Sequence, residues 1–522
     1  MSIDFLESMK RVNPLPTDFH FYLLITIIIL AGFILLNRSQ KIKIPVCKNC
    51  NIVVIDIDSL RADALNCEKD YDNTPNLCAF INKANVFENN ISQSDLTRPS
   101  FTSTLTSLYP SSHNIWNELF TELDDELLTL PELLQGQGYK TALYGFTEFN
   151  QLIYRGFGEI INVHDIFKDE FTPDKFLSEL DYQGKPFILY IYLNDLHFPY
   201  LPFNNERLAN EHPVPKGIPR TRAEYDEIFK DYLAAHYSEI FTQEAIDSNP
   251  DVFQGEPIKK RDEIFNLYVE YNMNRATLAL YLQDAWKPYS EAFFKYVDLD
   301  NPSHILYLKS NYLAMLGLID SKLGGLLDVL DSSQFSDNTI VVIRSNKADG
   351  FREYSYNLFT RNLYQELIHT PLIIKIPQVR PSVIKGLTQD VDIMPTLLGV
   401  VGIDTPAQAQ GKSLVSLLGN PKASVNGFQI AQKGATDYVS TFRKGDWKLI
   451  MKELQPIELY NLTKDPKETT NLINIEEEKA MRLLDEYNRV IDSLPVYGDL
   501  DSPFPDWIDE EKRERLKEEG YF

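Results

Sequence analysis

Histidine and cysteine are scarce in this chain of 522 residues, which contains 8 His and 4 Cys. So few histidines limit any His-rich metal centre, and four cysteines are too few for a fold held together mainly by disulfides. Cations are also in the minority, because 51 Lys and Arg stand against 75 Asp and Glu and give a net charge of −24. A surface this acidic repels nucleic-acid phosphates, so we expect no nucleic-acid partner.

Long hydrophobic runs are rare, with one exception near the N-terminus. Residues 19–36 read FHFYLLITIIILAGFILL without a charged side chain. As a helix this stretch would be about 27 Å long, close to the hydrocarbon thickness of a bilayer. Residues 37–40 offer no small-x-small cleavage site, which favours an uncleaved anchor over a signal peptide. We therefore expect a tail over 1–18, a single-pass anchor over 19–36, a linker over 37–50 and an extracytoplasmic soluble part, although the flanking basic residues do not decide the orientation.

The four cysteines lie close together in the sequence. Cys47 and Cys50 precede the first predicted strand, and Cys67 and Cys78 flank an acidic loop. This spacing is consistent with two local disulfides in an exported domain or with four free thiols facing the cytosol. A structural zinc is disfavoured because the chain has no second CxxC motif and no His pair at zinc spacing.

Apolar runs alternate with helical patterns after residue 50. The main predicted strands are Asn51–Asp58, Lys140–Gly145, Pro186–Leu193, Thr339–Arg344 and Pro371–Ile376. These runs are typical of buried parallel strands, and an amphipathic helix is predicted over Tyr312–Leu330. The pattern predicts an α/β fold with a mainly parallel sheet flanked by helices. Sites in such sheets form at the carboxyl ends of strands, where Asp58, residues 194–197 and residues 345–349 stand.

The remaining regions have other patterns. Within a main domain predicted over 51–424, residues 204–300 are charged and Tyr-rich and predict a helical insertion. The C-terminal region 425–522 changes to a hairpin pattern over 438–450 and is expected to form a small antiparallel sheet with a closing helix from Asp509.

Several motifs resemble the sulfatase branch of the alkaline phosphatase superfamily. The matching segments, in family order, are Asn51–Asp63, Thr97–His113, Asp195–Tyr200, Val391–Leu398, Glu458–Pro466 and Arg515–Tyr521. Each motif alone is weakly specific, but together they extend over most of the chain. The resemblance implies the superfamily's α/β fold.

The resemblance also implies a metal-activated oxygen nucleophile. It assigns Asp58 as a metal ligand and Thr97 as the nucleophile, beside a cation that would stabilise the alkoxide. Thr cannot be converted to the formylglycine of ordinary sulfatases, and Phe101 replaces an Arg of the modification motif. Thr is instead the nucleophile of related phosphatases, phosphodiesterases and phosphoglycerol transferases. Local sequence offers an alternative, in which Thr97 is a helix N-cap.

The second metal motif departs from the family pattern. Residues 345–348 read Ser-Asn-Lys-Ala, where the family usually has Ser-Asp-His-Gly or Ser-Asp-Asn-Gly. Asn346 is therefore a weak candidate ligand, and Tyr354 and Phe359 stand where the family often has His. We expect one divalent cation (Ca²⁺, Mg²⁺ or Mn²⁺) if the protein is active, and none if this site is lost.

Lys347 suggests how such a loss would be accommodated. Its ammonium could occupy the metal cavity, pair with Asp58 and hold an anionic group, or it could point to solvent. His197 resembles the family's anion-binding histidine, although a structural role is an alternative. His369 and Arg98 are further candidates for the substrate pocket.

Three functions follow from these residues. The first is a membrane-anchored hydrolase or transferase of phosphate or sulfate esters that uses Thr97, with catalytic candidates His197 and Lys347. The second is a pseudoenzyme that binds an anionic glycan, lipid headgroup or protein partner. The third is a structural assembly factor that uses the insertion 204–300. The sequence leaves the substrate and the oligomeric state open.

Overall fold

The protein is described by a computed structural model. It describes residues 47–65, 67, 73–116, 123–145, 154–162, 172, 175, 177, 184–198, 200–201, 218–235, 292–332, 334–351, 363–418, 420–434 and 438–497. Among these residues, no helix is long and apolar enough to cross a membrane. The predicted anchor 19–36, the predicted helix from Asp509 and most of the predicted insertion 204–300 lie outside them, as do Tyr354 and Phe359.

Twelve strands occur in the described residues. They are β1 (Asn51–Ile57), β2 (Asn85–Ile91), β3 (Lys140–Gly145), β4 (Glu159–Asn162), β5 (Phe187–Leu193), β6 (Thr339–Arg344), β7 (Leu372–Lys375), β8 (Ser382–Gln389), β9 (Gln429–Lys433), β10 (Val439–Lys444), β11 (Trp447–Lys452) and β12 (Gln455–Asn461). The first eight form one sheet in the order β4-β3-β5-β1-β6-β7-β2-β8. Only β7 runs antiparallel to its described neighbours, so the predicted mainly parallel sheet is confirmed.

Helices of the described residues connect and cover these strands. They are α1 (Pro75–Ile81), α2 (Thr97–Thr106), α3 (Pro110–His113), α4 (Leu130–Gly136), α5 (Arg222–Ala235), α6 (Pro302–Asp331), α7 (Gln365–Ile368), α8 (Ile393–Val401), α9 (Val415–Leu418) and α10 (Glu477–Ile491), with 3-10 turns at Ala62–Ala64 and Asp390–Asp392. Helix α6 begins ten residues earlier than predicted because Asn301 caps it through its side chain and a proline follows.

The central strands β1, β5 and β6 are buried along their whole length. Their apolar side chains pack against α6, whose Leu316, Ile319 and Leu323 belong to the same core. Asp320 of α6 accepts hydrogen bonds from the backbone N–H groups of Asn76 (3.1 Å) and Leu77 (2.7 Å). These donors are in the first turn of α1, so the carboxylate satisfies groups that the helix itself leaves unpaired.

A second sheet has the order β12-β11-β10-β9 and is antiparallel, as predicted for the C-terminal region. Gly445 has φ +58° in the turn between β10 and β11, a conformation that glycine adopts without steric cost. Helix α10 packs on this sheet through Ala480, Leu483 and Tyr487. Helix α10 is not among the elements predicted from the sequence, where a closing helix was expected only from Asp509.

The four cysteines are paired as Cys47–Cys50 and Cys67–Cys78. The two local disulfides left open by the sequence are therefore both formed, and the free-thiol alternative is wrong for this structure. The second bridge connects the segment after β1 to helix α1, beside the core.

Candidate active site

The candidate site lies where β5, β1 and β6, which are neighbours in the sheet, reach their carboxyl ends. Asp58 follows β1 directly, His197 follows β5 by four residues, and Lys347 follows β6 by three. Helix α2 begins beside them at Thr97, whose side chain contacts Asp58. The parallel register thus brings together four residues that are far apart in the sequence.

The carboxylate of Asp58 is the centre of the cluster and is 1% exposed. Its Oδ1 lies 2.9 Å from Lys347 Nζ and accepts a hydrogen bond from Ser59 Oγ at 3.1 Å. Its Oδ2 accepts hydrogen bonds from Tyr192 Oη at 2.5 Å and from Thr97 Oγ1 at 3.4 Å. An ionised carboxylate has about four acceptor positions, so side chains of this protein already supply a donor for each of them.

Lys347 is 7% exposed and faces the cluster. Its ammonium pairs with Asp58, donates to Ser59 Oγ at 2.7 Å and lies 3.6 Å from Asp349 Oδ1. The predicted ion pair with Asp58 is present, and the alternative in which Lys347 points to solvent is wrong. One ammonium faces two carboxylates, so the cluster has no surplus positive charge.

Thr97 is the first residue of α2, and Leu96 is the N-cap without a side-chain capping bond. The alternative N-cap role of Thr97 is therefore wrong, because Leu96 occupies the N-cap position and Thr97 already lies within the helix; its hydroxyl donates to Asp58. Its nucleophilic role stays a prediction.

Asn346 is fully buried beside Lys347. Its backbone carbonyl accepts a hydrogen bond from Ser92 Oγ, but neither polar atom of its side-chain amide has a partner. Buried amides are nearly always hydrogen-bonded, so an unpaired one at this sheet edge marks a position where a ligand or water can bind.

The electrostatics of the cluster keep Asp58 ionised. Burial alone would raise the pKa of Asp58, but the neighbouring groups, with the charge of Lys347 as the largest influence, outweigh it and lower that pKa to about 2. Burial and the charge of Lys347 lower the pKa of His197, so its imidazole is neutral at pH 7. A carboxylate with so low a pKa is a poor base for the Thr97 hydroxyl.

Two further residues, Arg98 and His369, were predicted for the substrate pocket. Arg98 is buried in the first turn of α2, where its charge helps to lower the pKa of His113, although burial of that histidine is the larger cause. His369 binds the carbonyl of Glu88 through Nε2 at 2.8 Å and lines a separate cavity with Arg61.

Three side chains of the cluster, those of Tyr192, Ser59 and Tyr200, were not predicted from the sequence. Tyr192 is on β5, and its alternation with Tyr190 on one face of the strand was the signal that could have found it. Ser59 and Tyr200 both have positive φ angles, 64° and 60°. Tyr200 donates to Asp349 Oδ2 at 2.8 Å and Ser59 Oγ accepts from Lys347, so two of the nine described non-glycine residues with positive φ bond to the cluster. No sequence pattern of side chains predicts such turns.

Comparison with known proteins identifies the fold and the family. The sulfatase family model matches residues 50–403, and the model for the C-terminal part of N-sulphoglucosamine sulphohydrolase matches residues 354–490. The chain belongs to the sulfatase family. The predicted placement in the alkaline phosphatase superfamily is thereby confirmed.

Characterised relatives share about a quarter of their residues with this sulfatase-family chain. A choline-sulfatase of Rhizobium meliloti is 25% identical over 81% of this chain and 82% of its own length. An N-acetylglucosamine-6-O-sulfatase of Bacteroides thetaiotaomicron is 25% identical over 84% of this chain and 86% of its own length.

Solved structures show the same fold. A structure in complex with its substrate D-glucosamine-2-N,6-O-disulfate has a TM-score of 0.59 at 21% identity, over 85% of this chain and 98% of its own. A phosphonate monoester hydrolase of Silicibacter pomeroyi has a TM-score of 0.57 at 18% identity, over 85% and 94% of the two chains.

The family implies a divalent cation, and the residues at this sheet edge do not fit one. The ammonium of Lys347 pairs directly with Asp58, the principal candidate ligand, and the remaining acceptor positions of that carboxylate have donors. Asn346 contributes a neutral amide where the family has an anionic ligand. Among the described residues, no group of three or more His, Cys, Asp or Glu side chains is arranged to hold a metal ion.

Proposed function

We propose that this sulfatase-family protein binds an anionic sulfate or phosphate ester and has lost the family's metal-assisted hydrolysis. The observation that carries the proposal is the ion pair between Lys347 and Asp58. Because side chains of the protein already occupy the acceptor positions of the Asp58 carboxylate, none is left for a metal cation. Ester hydrolysis develops negative charge that a site must stabilise with surplus positive charge. The charge of Lys347 is already offset by Asp58 and Asp349, so the cluster supplies little of it.

The described residues still offer a group that recognises an oxyanion. The unpaired side-chain amide of Asn346 can donate hydrogen bonds, whereas the single N–H of a neutral His197 imidazole donates from Nδ1 to the Phe198 carbonyl at 3.3 Å. The relative crystallised with D-glucosamine-2-N,6-O-disulfate supports a sulfated sugar as the class of ligand to test first. We expect the full chain in detergent to bind this disulfated sugar, and isothermal titration calorimetry measures the affinity.

The decisive experiment restores the family's ligands. In the Asn346→Asp/Lys347→His variant, an anionic ligand and a neutral imidazole replace the amide and the ammonium. We expect this variant to bind one equivalent of Mn²⁺ or Ca²⁺, whereas the wild-type chain binds none and releases no sulfate from the disulfated sugar. Metal analysis after dialysis and a sulfate-release assay measure both properties. One equivalent of metal in the wild-type chain, lost on Asp58→Ala, would contradict the proposal.

A second candidate is ester hydrolysis or transfer with Thr97 as the nucleophile. The hydrogen bond from Thr97 Oγ1 to Asp58 and the family's catalytic record favour it. In that case, sulfate or phosphate release by the wild-type chain would be abolished by Thr97→Ala and retained by Thr102→Ala, a control further along the same helix.

We also propose that residues 19–36 anchor the protein in a membrane with the soluble part outside the cytoplasm. The disulfides Cys47–Cys50 and Cys67–Cys78 support this side, because disulfides persist in oxidising compartments. Protease digestion of intact cells tests the orientation. Digestion of the soluble part without cell lysis is expected, and protection until lysis would contradict it.

A further inference from the structure

A cavity of about 440 Å³ lies beside the Lys347 cluster. It shares a wall with that cluster, because Arg61 Nη1 donates to the Asp349 carbonyl at 2.9 Å and Tyr312 Oη donates to the Ser59 carbonyl at 2.9 Å. The volume falls within the ~300–1,000 Å³ typical of small-molecule sites and exceeds what a single sulfate ion needs.

The net charge of the residues that line this cavity is opposite in sign to the net charge of the whole chain. Arg61, Lys309 and Lys467 line it together with two carboxylates, Asp63 and Glu366. Three cations against two anions leave a local positive surplus in a chain whose net charge is −24. Low-dielectric walls of one net sign concentrate counter-ions, so this cavity attracts an anion that the surrounding surface repels.

The cations have a defined arrangement. The Arg61 guanidinium carbon and Lys309 Nζ each lie 5.6 Å from the centroid of the buried Phe351 ring. Arg61 is further fixed by two hydrogen bonds of 2.8 Å to Asp63. A cation held on an aromatic ring is oriented before a ligand arrives, which reduces the entropy lost on binding.

Gln365 gives an independent sign of a ligand. It lines the cavity and is 9% exposed, and neither polar atom of its side-chain amide has a hydrogen-bond partner. A buried amide without partners is rare in folded proteins and points to a bound polar group.

We propose that this cavity is a second anion subsite, which receives an oxyanion ester group carried on a sugar-sized or glycerol-sized unit. The cations attract the oxyanion, and the apolar lining from Leu313 and Ala62 contacts the carbon skeleton of the unit. The inference rests on the proposed binding of an anionic ester and adds the site where the charge of that ligand is neutralised. A sulfated sugar and a lipid-derived glycerol phosphate share this chemistry.

The test removes the two lysines of the cavity, and a control variant removes two lysines elsewhere so that the change in net charge is the same. Lys309→Met/Lys467→Met is compared with Lys322→Met/Lys464→Met, which removes two exposed lysines from the same helix and the same C-terminal turn. The probes are a fully sulfated heparin tetrasaccharide and sn-glycerol 1-phosphate, titrated calorimetrically into the full chain in detergent. We expect the cavity variant to lose about tenfold or more in affinity for one probe and the control to lose less than about twofold.

Each outcome has a separate meaning. The probe for which the cavity variant loses affinity identifies the source of the oxyanion, either a glycan or a lipid headgroup. Equal losses in both double variants, or no loss in either, would overturn the subsite. If the wild-type chain binds stoichiometric metal and releases sulfate, the proposed function is overturned. A loss of affinity confined to the cavity variant would still support the subsite. Thermal unfolding of both variants verifies that they fold.

Discussion

Two carboxylates, Asp56 within β1 and Asp58 directly after it, have similar neighbours and opposite properties. Each accepts a hydrogen bond of 2.5 Å from a tyrosine of β5, Tyr190 for Asp56 and Tyr192 for Asp58. Each also pairs with a cation from β6 or the loop after it. The first pair lies within the sheet and the second at its carboxyl edge, so position along one strand separates them.

The cations differ in how many carboxylates they serve. Arg344 is fully buried and bonds both Asp56 and Asp390, and Asp56 Oδ1 has no hydrogen-bond partner. Lys347 has Asp58 as its near partner, and that carboxylate has donors at every acceptor position. Burial raises the pKa of Asp56 to about 6 despite Arg344, whereas the pKa of Asp58 is lowered despite burial. The same components therefore form a structural pair in the sheet and an ionised cluster at its edge.

The largest expected effect breaks the inner pair. Arg344→Met leaves Asp56 and Asp390 buried without their shared cation, and removing one partner of a buried ion pair costs about 3–5 kcal/mol. We expect Lys347→Met to cost less, about 2 kcal/mol, because Asp58 keeps three hydrogen-bond donors. The free energy of unfolding from urea titration measures both.

Ligand binding provides the matched control for this pair of variants. Lys347→Met should change the affinity for the disulfated sugar, and Arg344→Met, where it folds, should not. A larger loss of stability in Lys347→Met than in Arg344→Met would contradict the distinction between a structural pair and a cluster at the site.

Sequence patterns predicted the sheet, and they predicted that Asp58, His197 and Lys347 follow the ends of its strands. Apolar runs such as Asn51–Asp58 and Thr339–Arg344 are fixed by burial on both faces, which leaves a strong signal in composition. The departure of Lys347 from the family's metal motif was also visible in the sequence, because an ammonium group beside a candidate metal ligand can take the place of a metal cation. Helix α10 was missed although it has an apolar face, because the interpretation followed the expected ending of the chain.

The contacts of the tyrosines and of the cavity could not be read from the sequence. Tyr192 and Tyr200 look like ordinary apolar residues of a strand and a loop, and their hydroxyl partners depend on register and on a positive φ angle. The cavity combines Arg61, Lys309 and Lys467 from three distant segments. Only tertiary packing brings such residues together, and local propensity has no access to it.

A smaller effect distinguishes the two carboxylates by the way in which the free energy of unfolding depends on pH. The raised pKa of Asp56 means that the folded state holds a proton between about pH 4 and 6 that the unfolded state has released, so stability falls as pH rises through this window. The lowered pKa of Asp58 gives the opposite sign, because its contribution is complete above about pH 4 and is lost as pH falls toward 2. Each contribution is on the order of 2–3 kcal/mol.

Difference profiles isolate these signs from the other carboxylates. The unfolding free energy is measured by urea titration between pH 2.5 and 7 for the wild type, Asp56→Asn and Asp58→Asn. Subtracting each variant from the wild type should give a curve that falls between pH 4 and 6 for Asp56 and one that rises between pH 2.5 and 4 for Asp58. If both difference curves rise or both fall with pH, the two carboxylates share one electrostatic environment and the distinction is contradicted.

The smallest effects are expected for Tyr190→Phe and Tyr192→Phe. Each variant removes one tyrosine hydroxyl that donates a hydrogen bond to a buried carboxylate. Asp56 already has an oxygen without a hydrogen-bond partner, so we expect Tyr190→Phe to cost about 1–2 kcal/mol of stability. Asp58 retains donors from Ser59, Lys347 and Thr97, so Tyr192→Phe should cost about 1 kcal/mol or less. Only Tyr192→Phe should alter the affinity for the disulfated sugar, because its hydroxyl fixes the carboxylate that orients Lys347. Equal changes in affinity in both variants would show that the inner pair and the edge cluster act as one network.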